Sequence, residues 1–330
     1  MESHKKPQNL KVEYFIEDYW DIILGIIATA IAFYLHFHGF VATAIIFEAI
    51  AIIFFSVTIS EIAEILAERV TEPYGSLLLT FTAVAVEILL LFMIILEAPT
   101  SPEAAQTVKG GIISAVIVDM NLLLGLSVLI GGLAFKQQEH NEETSGSYTT
   151  ILLVTSCVLL VPSVLKFQTD DATALLKVSQ IIAVLLFAYY AVILVFQIKT
   201  HSSFFKATAR SRLLRYKKRM QEDNDEDDYI HYIFEKLPTI FNFIAMLALI
   251  AAVGLLAELL AKDGMKEAAE IGITPGLSGL IIAFIAVAPE FLTAIRAAKN
   301  DEPQRVINIA MGASAATILL TVPFIILLAE

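Results

Sequence analysis

Nine apolar runs, at residues 18–37, 41–69, 76–97, 107–134, 149–166, 174–199, 239–262, 274–297 and 304–328, account for most of this chain, and each is close to the length of about 20 residues that a helix needs to cross a bilayer. Hydrocarbon offers no partner to an unpaired backbone N–H or C=O, so runs of this length can only be helices. The expected fold is all-α, a polytopic membrane protein with about nine transmembrane helices. Composition agrees, because 57% of the residues are hydrophobic and 17% charged, where a soluble domain carries about 25% charged residues. Clusters such as TEPYG, EAPTSPE, KQQEHNEETSGS and KNDEPQ separate the runs, as Gly, Pro and charge do at helix ends. The net charge of −12 comes from acids gathered in one loop and at helix ends, and it gives no reason to expect a nucleic-acid partner. With Cys157 as the single cysteine, an intrachain disulfide and a thiol metal site are both excluded. The polar N-terminus lacks a small-residue cleavage site, so the first span reads as retained.

Basic residues resist translocation, and the densest basic run, KTHSSFFKATARSRLLRYKKR, follows the sixth span. Placing it in the cytoplasm also places Lys5, Lys6, Lys11, Arg69, Lys136, Arg296, Lys299 and Arg305 inside, with the N-terminus in and the C-terminus out. The acidic run QEDNDEDD that follows lacks the glycine and terminal glutamate of an EF-hand loop and reads as a solvated linker. The basic segment is a topology determinant able to touch anionic lipid.

One segment has a partner elsewhere. SLLLTFTAVAVE, Ser76 to Glu87, aligns without a gap to GLIIAFIAVAPE, Gly279 to Glu290, with six of twelve positions identical, the glutamate among them. AEILA at Ala63 to Ala67 recurs as AELLA at Ala257 to Ala261. The two glutamates fall on the third and eighth runs, an odd separation, so the matched helices run in opposite directions through the membrane. Inverted repeats of this kind are the architecture of many secondary transporters, with the site near the midplane. The resulting division is 1–40, a tail and an extra helix; 41–200, a first repeat of five helices; 201–238, a basic then acidic loop; and 239–330, a second repeat of three.

Glu87 sits mid-run, where a charge costs about 2.5–3.5 kcal/mol on insertion scales, so it needs a proton or a positive partner. Thr80 lies two turns earlier on the same face. In the second copy Glu290 follows Pro289, whose missing N–H leaves the Ile285 carbonyl without its intrahelical donor. Carboxylate and carbonyl oxygens suit hard cations such as calcium, sodium or magnesium better than zinc or copper. Further polar atoms come from Ser114, Asp119 and Asn121 on the fourth run and from Ser314, Thr317 and Thr321 on the last, the latter three on one helical face. Asp119 and Asn121 are separated by about 200° around a helix and cannot both face one ion; Asn121, which precedes the small-residue run LLLGLSVLIGG, is the favoured ligand. Each of these residues also has a structural reading. Membrane Ser and Thr often bond back to their own helix, and a lone glutamate can be a packed, protonated group. Glu61, Glu64 and Glu68 share a face near the end of the second run and read as a solvated helix end.

SEIAEILAERVTEPYGSLLLTFTAVAVE, DMNLLLGLSVLIGG, FQIKTH and APEFLTAIRAAKNDEPQRVINIAMGASAATILLTVP together resemble the calcium/cation antiporter superfamily, most closely its bacterial calcium/proton (sodium, potassium/proton) antiporter branch, over residues 41–330. The resemblance implies two inverted repeats, each placing one glutamate in a central site where a cation exchanges against protons. By position Glu87 and Glu290 would be those acids and Asn121 the polar ligand of the first half, while Ser314 and Thr317 lie in the stretch resembling the second. It also implies a bacterial plasma-membrane location. Two departures stand out. Ala83-Val84 and Ala286-Val287 occupy places where the calcium/proton exchangers carry Gly-Asn, and the second half has three helices where the superfamily has five.

Two carboxylates in one low-dielectric pocket cannot both remain ionised and bare. One divalent ion or two protons neutralise the pair, so exchange of a cation, calcium first, against protons is the expected activity. Sodium or potassium/proton exchange on the same fold is the alternative within the class, and a cation channel the alternative outside it. His-Glu-x-x-His, Gly-x-Gly-Asp and Gly-x-Ser-x-Gly do not occur, which argues against an enzyme. Nothing in the sequence fixes an oligomeric state.

Overall fold

The structure is a computed structural model and describes residues 8–70, 74–99, 101, 103–169, 171–206, 208 and 232–328. The described residues are helical nearly throughout. Long helices run in order as α1 (Gln8–Phe37), α2 (Val41–Arg69), α3 (Tyr74–Leu96), α4 (Ala104–Ala134), α5 (Glu142–Lys166), α6 (Ala172–Thr200), α7 (Thr239–Glu270), α8 (Pro275–Lys299) and α9 (Pro303–Leu328). Eight are long and apolar enough to span a bilayer, and α3 contributes the shorter apolar stretch Thr80–Leu96. The helices overrun the apolar runs. α7 continues through KDGMKEAAE to Glu270, supported by a Glu258–Lys262 pair at 2.6 Å one turn apart, because Ala, Lys and Glu keep a helix going after the apolar surface ends. Most of the basic run and all of the acidic run of the connecting loop, within 209–231, lie outside the described residues.

Turns are closed by residues able to take positive φ. Gly39 (φ 80°) reverses the chain between α1 and α2, Gly272 (φ 76°) does so between α7 and α8, and Asp301 (φ 57°) between α8 and α9. Short connections force antiparallel neighbours, so α1 lies along α2.

α2 packs along α7, and this seam, with α3, holds the main apolar core around Ile52, Ile59, Ile62, Leu90, Leu91 and Val253. α4 packs along α8 through glycines. A Cβ on Gly279 would collide with the backbone of Thr107, Gly110 and Gly111, so the two backbones touch with no side chain between them. α3 lies inside the bundle, meeting α2, α4, α7, α8 and α9. Its neighbours therefore decide what surrounds Glu87.

Two helices carrying candidate ligands change pitch at those ligands. α4 is a π-helix over Val118–Leu123 and α9 over Thr317–Thr321. A π turn inserts an extra residue per turn and is frequent at functional sites. At the end of the bundle where α2 and α8 finish, Glu61 pairs with Arg296 at 2.8 Å and Glu64 pairs with Arg305. These two acids are therefore bridges between helices, whereas the sequence reading made them part of a solvated helix end. Arg69 donates to the carbonyls of Phe234, Glu235 and Leu237, fixing the chain just before α7 beneath the end of α2.

Candidate cation site

α3, α4, α8 and α9 bring Glu87, Asp119, Glu290, Ser314, Thr317 and Thr321 together. Glu87 is 7% exposed, and all its described hydrogen bonds come from the π segment of α9. Thr317 Oγ1 lies 3.1 Å from Oε1 and 2.9 Å from Oε2, and Thr321 Oγ1 donates to Oε2 at 2.9 Å. One helical turn separates the two hydroxyls, which is why a single carboxylate can meet both. Ser314, one turn before Thr317 on the same face, donates instead to Asp119 Oδ2 at 3.5 Å.

Asp119, rather than Asn121, faces the site. Asp119 is 1% exposed, whereas the Asn121 side chain is exposed and its amide donates back to the Ile117 carbonyl at 3.0 Å. Of the two, the structure turns Asp119 inward and Asn121 outward. A signal was present in the sequence: Gly111, Ala115, Asp119, Leu123, Ser127 and Gly131 recur every fourth residue, are all buried, and form the stripe by which α4 enters the bundle.

Glu290 follows Pro289 within a continuous α8. Its carboxylate lines a small cavity with Ser56, Ser60, Thr82, Ala83 and Pro289, between α2, α3 and α8. Ser56 and Ser60, one turn apart on α2, line this cavity beside Glu290 and were not singled out from the sequence; an SVTIS stretch in an otherwise apolar helix was the available signal. Asp119 is within electrostatic reach of both Glu290 and Glu87, and Glu290 is within reach of Glu87. Asp119 Oδ1 and Glu290 Oε2 are buried without a hydrogen-bond partner among the described residues. Oxygens left this way are costly unless a proton or a cation meets them. Thr80 lies half-buried on α3, two turns before Glu87, and Ser114 half-buried on α4.

The buried acids Glu87 and Asp119 and the half-buried Glu290, from three helices of a bundle of membrane-spanning length and backed by hydroxyls from a fourth, are the arrangement expected of a cation transport protein. The chain belongs to the sodium/calcium exchanger protein family, whose model matches residues 35–199 and 241–330 and leaves out the loop between them. Among curated relatives, the sodium-potassium/proton antiporter ChaA of Escherichia coli (strain K12) is 28% identical over 271 residues, covering 81% of this chain and 68% of that protein. A Ca(2+)/H(+) antiporter of Synechocystis sp. (strain ATCC 27184 / PCC 6803 / Kazusa) is 23% identical over 303 residues, 90% of this chain and 79% of that one. Among solved structures, native YfkE superposes with a TM-score of 0.71 at 17% identity, covering 94% of this chain and 82% of that chain. The H+/Ca2+ exchanger CAX gives 0.62 at 13% identity, covering 94% and 75%. The protein is thus a multi-pass membrane cation antiporter and not an enzyme.

Proposed function

We propose that this protein exchanges calcium for protons by alternating access, with Glu87 and Glu290 as shared ligands and proton carriers, Asp119 as a third acid, and Ser314, Thr317 and Thr321 orienting the carboxylates. The observation that carries the reading is the hydrogen bonding of both Thr317 and Thr321 to the Glu87 carboxylate, with Asp119 and Glu290 close enough to sense its charge. Hydroxyls that donate to a carboxylate hold its remaining lone pairs toward the site. A third carboxylate raises the negative charge, which favours a divalent over a monovalent ion. Neutralised by calcium or by protons, the site can change its access; bare, it cannot without burying unpaired charge.

In this reading 41–200 and 239–330 are inverted halves joined by 201–238, with the N-terminus cytoplasmic. Support comes from reciprocal contacts, since α3 meets α8 while α4 lies on α8 and α9 lies on α3. A π segment in both α4 and α9 adds to it.

Sodium or potassium exchange is the second reading. It is favoured by the name of the Escherichia coli relative and by the Ala-Val pairs preceding each glutamate, which remove amide oxygens from the site. Protein reconstituted in vesicles under an imposed pH gradient, with calcium, sodium and potassium offered in turn, separates the two. Calcium should dissipate the gradient saturably, and Glu87→Gln or Glu290→Gln should abolish the effect. Dissipation by sodium or potassium alone transfers the assignment to monovalent ions; full activity in both variants removes the site. Flux that neither saturates nor needs a counter-ion indicates a channel.

A further inference from the structure

His36, Glu48 and Asp263 converge at the end of the bundle where α1 turns into α2 and α7 nears its end. One ligand atom from each lies within 4.8 Å of the other two. Glu48 lies two turns into α2, is 0% exposed, and neither of its carboxylate oxygens has a hydrogen-bond partner among the described residues. His36 Nδ1 and Asp263 Oδ2 face each other at 2.7 Å, yet neither has a partner that meets the alignment of a hydrogen bond. Lys262, the cation beside Asp263 in sequence, is instead paired with Glu258 at 2.6 Å.

We propose that these three side chains form a divalent transition-metal site, separate from the transport acids, that ties α1 to α2 and α7. The donor set decides the class of ion. One imidazole nitrogen with two carboxylate oxygens is the borderline mixture that suits zinc and its neighbours, whereas calcium takes six or more oxygens. Ligand atoms around a tetrahedral zinc lie about 3.3 Å apart, given bonds near 2 Å. His36 Nδ1 and Asp263 Oδ2, at 2.7 Å, would part slightly to admit an ion, and a side-chain rotation of Glu48 would close the remaining gap. The side chains of His36 and Asp263 are 30% and 18% exposed, so the ion has a way in and a fourth position remains for water. Glu48 would supply the buried anchor, and an otherwise unpaired buried carboxylate would gain its counter-charge.

Tag-free, full-length protein in detergent, titrated calorimetrically with zinc, tests the site. Glu87→Gln/Asp119→Asn/Glu290→Gln serves as the background, removing all three transport acids. One zinc equivalent should persist in that background. Adding His36→Gln or Glu48→Gln should weaken it roughly tenfold or more, at least the effect of losing a supporting partner of a metal ligand. His38→Gln should leave it unchanged, since His38 Nδ1 is held by the Tyr34 carbonyl at 2.7 Å. Zinc should also raise the melting temperature of the background protein and not of its Glu48→Gln form, because a ligand of the native state stabilises only where it binds. Should Glu48→Gln fail to fold, Asp263→Asn at the accessible rim gives the same reading. Absence of zinc binding in the background protein, or zinc affinity in the His36 and acid variants equal to that of the background, overturns the proposal.

Discussion

Thr317 Oγ1 lies within hydrogen-bonding distance of both carboxylate oxygens of Glu87, across 230 residues of sequence. A hydrogen bond to a charged group contributes about 1.5–3 kcal/mol, while interhelical bonds between neutral groups in membranes average about 0.6 kcal/mol. The two values separate two states of Glu87. Thr317→Val should lower apparent cation affinity by about tenfold or more in vesicle uptake, because the cation-bound form holds Glu87 ionised. Thr321→Val, which removes one bond to one oxygen, should have the smaller effect.

The assignment of Asp119 over Asn121 makes a paired prediction. Asp119→Asn keeps the shape and removes the charge, and should cut calcium exchange at least as severely as loss of either hydroxyl. Asn121→Ala removes only a bond from an exposed amide to its own helix and should leave exchange near wild type. Equal losses in the two variants would return the ligand role to Asn121.

Gly279 is the point of closest approach between α4 and α8. Gly279→Ala places a methyl group into backbone that cannot give way, and overpacking of that kind costs about 1–3 kcal/mol. Size-exclusion profiles and thermal unfolding in detergent should show loss of the folded monodisperse species. Gly125→Ala is the matched control, since nothing lies within 4 Å of an added Cβ there and alanine favours a helix by up to about 1 kcal/mol.

The bridges Glu61–Arg296 and Glu64–Arg305 are partly exposed, with side-chain exposures of 21–50% and 30–34%. Pairs in such surroundings couple by about 0–1 kcal/mol. A double-mutant cycle on Glu64→Gln and Arg305→Gln should return a coupling in this range in thermal unfolding. A larger value would mean that this pair ties α2 to α9 more strongly than a partly exposed ion pair does.

Much of the architecture was legible because it follows from short-range rules. An apolar run of membrane length must be a helix, and the nine such runs correspond in order to the nine long helices among the described residues. Glu87 and Glu290 stood out because an acid in such a run is costly, and a repeated one more so. The shared face of Ser314, Thr317 and Thr321 followed from helical spacing alone, as did the rule that Asp119 and Asn121 must diverge. Spacing could not divide those three hydroxyls between two acids.

What the amino-acid order settled by itself, then, was helix number, membrane residence and the unusual acids, since each depends on residues within a few turns of one another. Tertiary structure alone decided that Asp119 faces inward and Asn121 outward, that Glu61 and Glu64 bridge to arginines, and that His36, Glu48 and Asp263 meet. Those outcomes depend on how each helix is rotated about its axis. That rotation is set by contacts between distant segments: glycine against glycine where α4 meets α8, and hydroxyl against carboxylate where α9 meets α3. Apart from the four-residue stripe through Asp119 on α4, no local period records it.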